Sequence, residues 1–180
     1  MEKTIYLAGF GIRLWTRERA REIRERLVAD LDQLEEGDVM VVDLKGVEVF
    51  DYSFANELFG KTILGMPVDY PGRFLVVENL TKYTKENQEK ALESLGLTVI
   101  ERTAQSLHLI GKVHPTDQET FAALLKLREP ATSSTLKDKL GIGLTAMNER
   151  LSKLAQLGVI RRESTVSEAG REQYKYSVPS

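Results

Sequence analysis

Asp51, Tyr52 and Ser53 are consecutive, and each can do chemistry: a carboxylate, a phenol and a hydroxyl sit where an apolar run hands over to an amphipathic one. Two readings compete. A short polar side chain at a helix start caps free backbone N–H groups. The same free N–H groups and the positive end of the helix dipole also suit a phosphate on Ser53, and hence a regulated partner surface. Asp43, Asp51 and Glu57 form a second candidate group, since paired carboxylates can divide acid and base roles. No histidine or lysine is joined to them by a motif. The two histidines, His108 and His114, fall in an expected strand and at an expected boundary. Gly9-Phe10-Gly11 lacks the further glycine of a dinucleotide fingerprint, and no P-loop, HExxH or nucleophile elbow is present. The expectation is therefore a protein that is not an enzyme, with no catalytic residues, no metal site and no cofactor. The third group is Thr145, Asn148, Glu149, Ser152 and Lys153, spaced to share one helix face, followed by Arg161 and Arg162.

These groups need elements to hold them. Lys3–Ala8 reads as a strand, and Phe10–Trp15 as a strand or loop. Thr16 is a suitable N-cap for a helix whose Ala20, Ile23, Leu27, Leu31 and Leu34 make one apolar stripe, with a charged, solvated opposite face. Val39–Leu44 is a continuous apolar run, the mark of a strand covered on both faces. A helix is expected from about Ser53 to Leu64, with Gly65 and Pro67 as punctuation. Arg73–Val77 is a buried strand, Lys82–Leu95 a polar helix, and Leu97–Glu101 and Leu107–Val113 are strands. This alternation predicts an α/β layer domain with a largely parallel or mixed sheet.

The pattern changes at His114-Pro115, which places the expected boundary between domains 1–113 and 114–180. Gln118–Arg128 is helical, capped by Thr116 or Asp117. Thr135–Leu140 is a second helix, capped by Ser133 or Ser134, and Gly141 gives a tight turn. A third runs from about Leu144 to Leu157, with Leu144, Met147, Leu151, Leu154 and Leu157 inward. Val159–Arg162 is a short strand, 163–172 a polar loop, and Gln173–Val178 a returning strand. Three helices and a hairpin make a winged helix-turn-helix.

Composition limits what these parts can be. The 180 residues hold no cysteine, so disulfides, thiol catalysis and cysteine metal sites are absent. No apolar run approaches the ~18 residues of a membrane helix, so a cytoplasmic protein with no membrane partner is expected. Residues 1–112 carry 15 Lys/Arg against 19 Asp/Glu, and residues 113–180 carry 10 against 8. The second half is mildly basic and the first mildly acidic, which hints at different partners.

Val41-Val42-Asp43-Leu44-Lys45-Gly46-Val47 and Phe50-Asp51-Tyr52-Ser53-Phe54 resemble the STAS fold, the sulfate-transporter and anti-sigma-factor-antagonist domain. Thr16-Arg17-Glu18, Asp43, Ser53-Phe54-Ala55, Glu57-Leu58 and Gly60-Lys61 look more closely like its STAS-like relatives in bacteria and archaea. The resemblance covers roughly residues 3–112 and implies a regulatory module. In the antagonists the segment reads Asp-Ser-Ser-Gly, and a partner kinase phosphorylates the first serine. Here Tyr52 takes that serine's place and Ser53 matches the second. Residues 135–162 look like the helix-turn-helix and wing base of prokaryotic winged-helix regulators. That resemblance implies double-stranded DNA as partner: Thr145, Asn148, Glu149, Ser152 and Lys153 would face the major groove, and Arg161 and Arg162 the phosphates or minor groove. The expected function is a homodimeric transcription regulator that senses a partner protein or ligand through its first domain. The alternative is a signalling adaptor in which both domains bind proteins and no DNA is touched.

Overall fold

In Val39–Asp43 (β3) all five residues are buried, as a strand covered on both faces requires. The computed structural model describes residues 1–179 and divides them into two units, Met1–Lys112 and one starting at Val113. The first unit holds a five-stranded sheet of β1 (Glu2–Tyr6), β3, β5 (Phe74–Glu78), β6 (Thr98–Arg102) and β7 (Leu107–Gly111), in that spatial order. The first four strands run parallel, and β7 returns antiparallel.

Strand pleating sorts the side chains into rows. Ile5, Val42, Val77, Glu101 and His108 form one cross-strand row, and Thr4, Val41, Val76, Ile100 and Leu109 the row beside it. The first row's apolar members share one core with α1 (Arg17–Leu31), the helical run Tyr52–Asp69, and α4 (Lys82–Ser94). Strands taken in chain order therefore carry their crossover helices on one face. On the same face Glu101 accepts from Lys85 Nζ at 2.6 Å and lies 2.8 Å from His108 Nε2.

The run Tyr52–Asp69 departs from the expected helix in three ways. It begins one residue earlier, at Tyr52 (α2, Tyr52–Ala55). It widens into a π turn at Asn56–Gly60. It then continues as α3 (Lys61–Asp69) past Gly65 and Pro67 to end at Tyr70. Pro67 lies in the last turn of α3, two residues before the helix ends. Further upstream, Leu7–Phe10 is a 3₁₀ turn, and only Arg13–Leu14 (β2) pairs as a strand, parallel to Val49–Phe50 (β4). Thr16 caps α1, accepting from Arg19 N–H at 3.3 Å.

The second unit contains α5 (Pro115–Leu127), α6 (Ser133–Leu140) and α7 (Leu144–Gln156), with a three-stranded antiparallel sheet ordered β8 (Ala131–Thr132), β10 (Glu172–Ser177), β9 (Arg161–Val166). Its buried residues are Phe121, Leu124, Leu136, Met147, Leu151, Leu154, Val159, Ile160 and Tyr176. The caps differ from those expected. His114, not Thr116 or Asp117, caps α5, and its own N–H donates to the Asp117 carboxylate at 3.1 Å. Thr132, not Ser133 or Ser134, caps α6. Gly141 ends α6 at φ +65°, a left-handed conformation that glycine adopts without strain. The hairpin strands reach into the expected 163–172 loop and leave only 167–171 between them. Leu144, expected inward, is exposed because it opens α7 before the helix reaches the core.

Candidate functional site

The first site is built at the C-terminal ends of the parallel strands. Three loops meet there and are laced together. Glu48 N–H donates to Ile12 C=O at 2.8 Å, and Asp51 N–H to Leu14 C=O at 3.3 Å. Thr81 Oγ1 donates to Glu48 C=O at 3.3 Å, and Asn87 Nδ2 to Phe50 C=O at 2.9 Å. This fixes Asp51 in extended backbone, where its carboxylate accepts from Phe54 N–H at 2.7 Å. Asp51 is thus the helix cap. Ser53 is the second helical residue and half-buried, and it is not the residue that accepts from the first helical N–H groups. Tyr52 is partly exposed, its hydroxyl 2.9 Å from Ser94 Oγ. Below them Phe54 is buried, its ring stacked on Phe50 at 5.6 Å between centroids.

The capping assignment makes a prediction. Asp51→Ala lowers stability by ~1 kcal/mol, the usual value of an N-cap. Ser53→Ala stays within ~0.5 kcal/mol of the parent protein. Urea unfolding of the two variants measures both.

The three carboxylates Asp43, Asp51 and Glu57 do not share partners. Asp43 accepts from Lys45 N–H and Asn79 Nδ2, both at 2.7 Å. Glu57, 1% exposed, meets Lys61 Nζ at 2.6 Å, Arg24 at 3.1 Å and Arg21 at 3.8 Å. Burial pushes the Glu57 carboxyl up, but Lys61 and Arg24 together outweigh burial and hold it below its ordinary value. The Arg102 guanidinium does the same for Glu2, and the N-terminal ammonium for Asp38. A carboxylate whose folded-state value is depressed contributes stability above its unfolded value, near pH 4.3 for Glu, and loses it as the pH falls through the folded one. Stability of the chain should therefore decline from about pH 5 downward. Glu57→Gln removes one such contribution, so the gap between parent and variant narrows as the pH falls below about 5 toward about pH 3. Urea midpoints across that range test it, and a gap independent of pH contradicts it.

Among the described residues no group of three or more His, Asp or Glu is placed to hold a metal, and no helix is long and apolar enough to cross a membrane.

In the second unit, Thr145, Asn148 and Glu149 are exposed on the first two turns of α7. Gly143, which precedes them, supplies no side-chain cap to the first N–H groups of α7. Lys153 lies at the surface, as expected, whereas Ser152 is drawn partly inward. Ser152 is half-buried and faces the Tyr176 hydroxyl. Lys153 donates to buried Asp117 on α5 at 2.6 Å, and Arg150 to Glu119 at 2.8 Å. The reason is packing: α7 lies against α5 and α6, and Ser152 meets Tyr176 of β10. Arg161 is half-buried, 3.7 Å from Glu163. Arg162 is exposed, its guanidinium 4.8 Å from the Tyr174 ring centroid. Tyr174, not among the expected site residues, pairs with Ser164 across the hairpin and meets Arg162 along the diagonal.

A family model described as a STAS-like domain of unknown function (DUF4325) matches residues 19–85. No curated protein matches the chain. Among solved structures, a possible transcriptional regulator from Methanosarcina mazei Go1 is 14% identical, over 46% of this chain and 75% of that one, with a TM-score of 0.35. The Aeropyrum pernix ORC1 protein, solved in complex with DNA, is 11% identical over 100% of this chain and 75% of that one, also at 0.35. Likenesses this distant do not define a shared fold.

Proposed function

We propose that the chain is a transcription regulator whose second unit acts as a winged helix on double-stranded DNA, while its STAS-like first unit receives a partner protein at the Asp51–Ser53 helix start. The observation that carries the DNA reading is the solvent face of α7. Thr145, Asn148 and Glu149 are presented together beside an uncapped helix N-terminus, and Arg162, Arg171 and Lys175 are exposed on the neighbouring hairpin.

Each group has a chemical role in this reading. Asn148 offers the bidentate amide that suits adenine, and Glu149 accepts from the cytosine amine. Thr145 and the free N–H groups of the first α7 turn bind phosphate. Arg162, held by the Tyr174 ring, and Lys175 supply the charge that positions the hairpin. Lys153 is assigned to holding α7 on α5 and not to bases. A homodimer would set two α7 helices on one two-fold site, which compensates for the modest charge of each unit. No residue is assigned a catalytic role, and no cofactor is invoked.

The test is selection of duplexes from a random library by the full chain, followed by anisotropy of the winner. The reading expects a specific duplex whose affinity falls about 40-fold between 50 and 200 mM salt, the loss expected for some three phosphate contacts. Failure to enrich any sequence at about 50 mM salt overturns it and favours the protein-only adaptor.

A further inference from the structure

Glu57 is the most buried carboxylate among the described residues. Three cations converge on it, two from α1 and one from α3. One negative charge against three leaves a local excess of two positive charges. Arg17, exposed one turn before Arg21 on α1, adds a third. The side chains of Arg21 and Lys61 remain 60% and 47% exposed, so most of their donors face water. Beside them α3 turns Thr62, Ile63 and Met66 inward, yet leaves Leu64 58% and Val68 81% exposed, one turn apart. Leu95, which would touch a Cβ built on Gly60, is exposed as well.

We propose that this flank of α1 and α3 docks an acidic amphipathic helix of a partner protein. The inference rests on reading the first unit as a partner-binding module, and it does not depend on DNA binding. Leu64 and Val68 have the spacing that accepts the apolar stripe of a helix laid along α3. The cation row of Arg17, Arg21, Arg24 and Lys61 then meets that helix's acidic flank. Nucleic acid would use the cations but leave both apolar side chains against phosphate. A second copy of this flank would set cations against cations. An acidic helix satisfies both halves of the surface. Glu57 is a positioning residue here: it fixes the three cations without neutralising them.

The test uses the full ¹⁵N-labelled chain and a synthetic helical peptide with leucines at i, i+4 and i+7 flanked by glutamates. Amide shifts should map to Arg17–Val28 and Lys61–Val68. The double variant R17E/R21E and the double variant L64S/V68S should each weaken binding at least about 10-fold. All four side chains are exposed, and thermal melts verify that both variants fold. A peptide with lysine in place of each glutamate should not bind. The proposal is overturned by equal binding of the lysine peptide, by either double variant binding unchanged, or by the same shifts appearing on concentrating the chain alone, which would name a second copy as the occupant. Shifts centred on Asp51–Ser53 would remove this surface but keep the partner-binding reading. No shifts anywhere would remove both.

Discussion

Phe54→Ala should destabilise the first unit by about 3–5 kcal/mol, the cost of emptying a buried phenylalanine site. Phe54 is fully buried and stacks on Phe50, which lies 5.8 Å from Phe59 between ring centroids. These three rings are the floor on which the Asp51–Ser53 helix start stands. Phe54 N–H also receives the Asp51 cap, so the same residue ties the cap to the core. In a unit of this size each kcal/mol moves the melting temperature by roughly 4 °C, so the expected fall is about 12–20 °C. Phe54→Leu keeps most of the volume and should cost less than half as much. Calorimetry of both variants decides the point. An alanine variant within a few degrees of the parent would mean that the helix start is held by its loops alone.

The second large effect is on DNA. Asn148→Ala should weaken the selected duplex by about 1–3 kcal/mol, roughly 5- to 150-fold, and relax preference at one base pair. Lys153→Ala gives the contrast. Its ammonium is bonded to Asp117, so the substitution should lower thermal stability while changing affinity less than about threefold. Arg162→Ala should act differently again, weakening all sequences alike and reducing the salt slope by about one. Anisotropy on the selected duplex and on a scrambled one separates the three. Loss of affinity in Lys153→Ala equal to that in Asn148→Ala would return Lys153 to the groove face.

Much of this frame is legible in the residues. The run Val39–Leu44 could only be a strand covered on both faces, and the stripe Ala20, Ile23, Leu27, Leu31 turns the expected side of α1 to the core. Thr16 caps where its side chain and the following charged run indicate. Other features depend on non-local contacts. Whether Asp51 or Ser53 caps the helix is decided by two bonds that hold residues 50–51 extended, from Asp51 N–H to Leu14 C=O and from Asn87 Nδ2 to Phe50 C=O. The π turn at Asn56–Gly60 inserts an extra residue into the helix without disturbing the apolar count, so periodicity does not reveal it. Pro67 looks like a stop, and α3 does end two residues after it. His114 caps α5 because the strand before it delivers the chain in extended backbone.

The solvent face of α7 is legible in part. Thr145, Asn148 and Glu149 lie at the open N-terminal turns of α7, where solvent faces follow from helix geometry. Ser152 and Lys153 belong to turns flanked by α5 and β10, and their partners Tyr176 and Asp117 are distant in sequence. The cation cluster on Glu57 had a visible trace in Arg17, Arg21 and Arg24, spaced to share a helix flank. Its meaning came only with the buried carboxylate it surrounds.

The most direct test of the account is amide hydrogen exchange of the full chain with and without the selected duplex. The account predicts slowed exchange confined to residues 143–150 and to the β9–β10 hairpin, with the Asp51–Phe54 segment unchanged. Protection concentrated in the first unit, or spread evenly with none at residues 143–150, would contradict it.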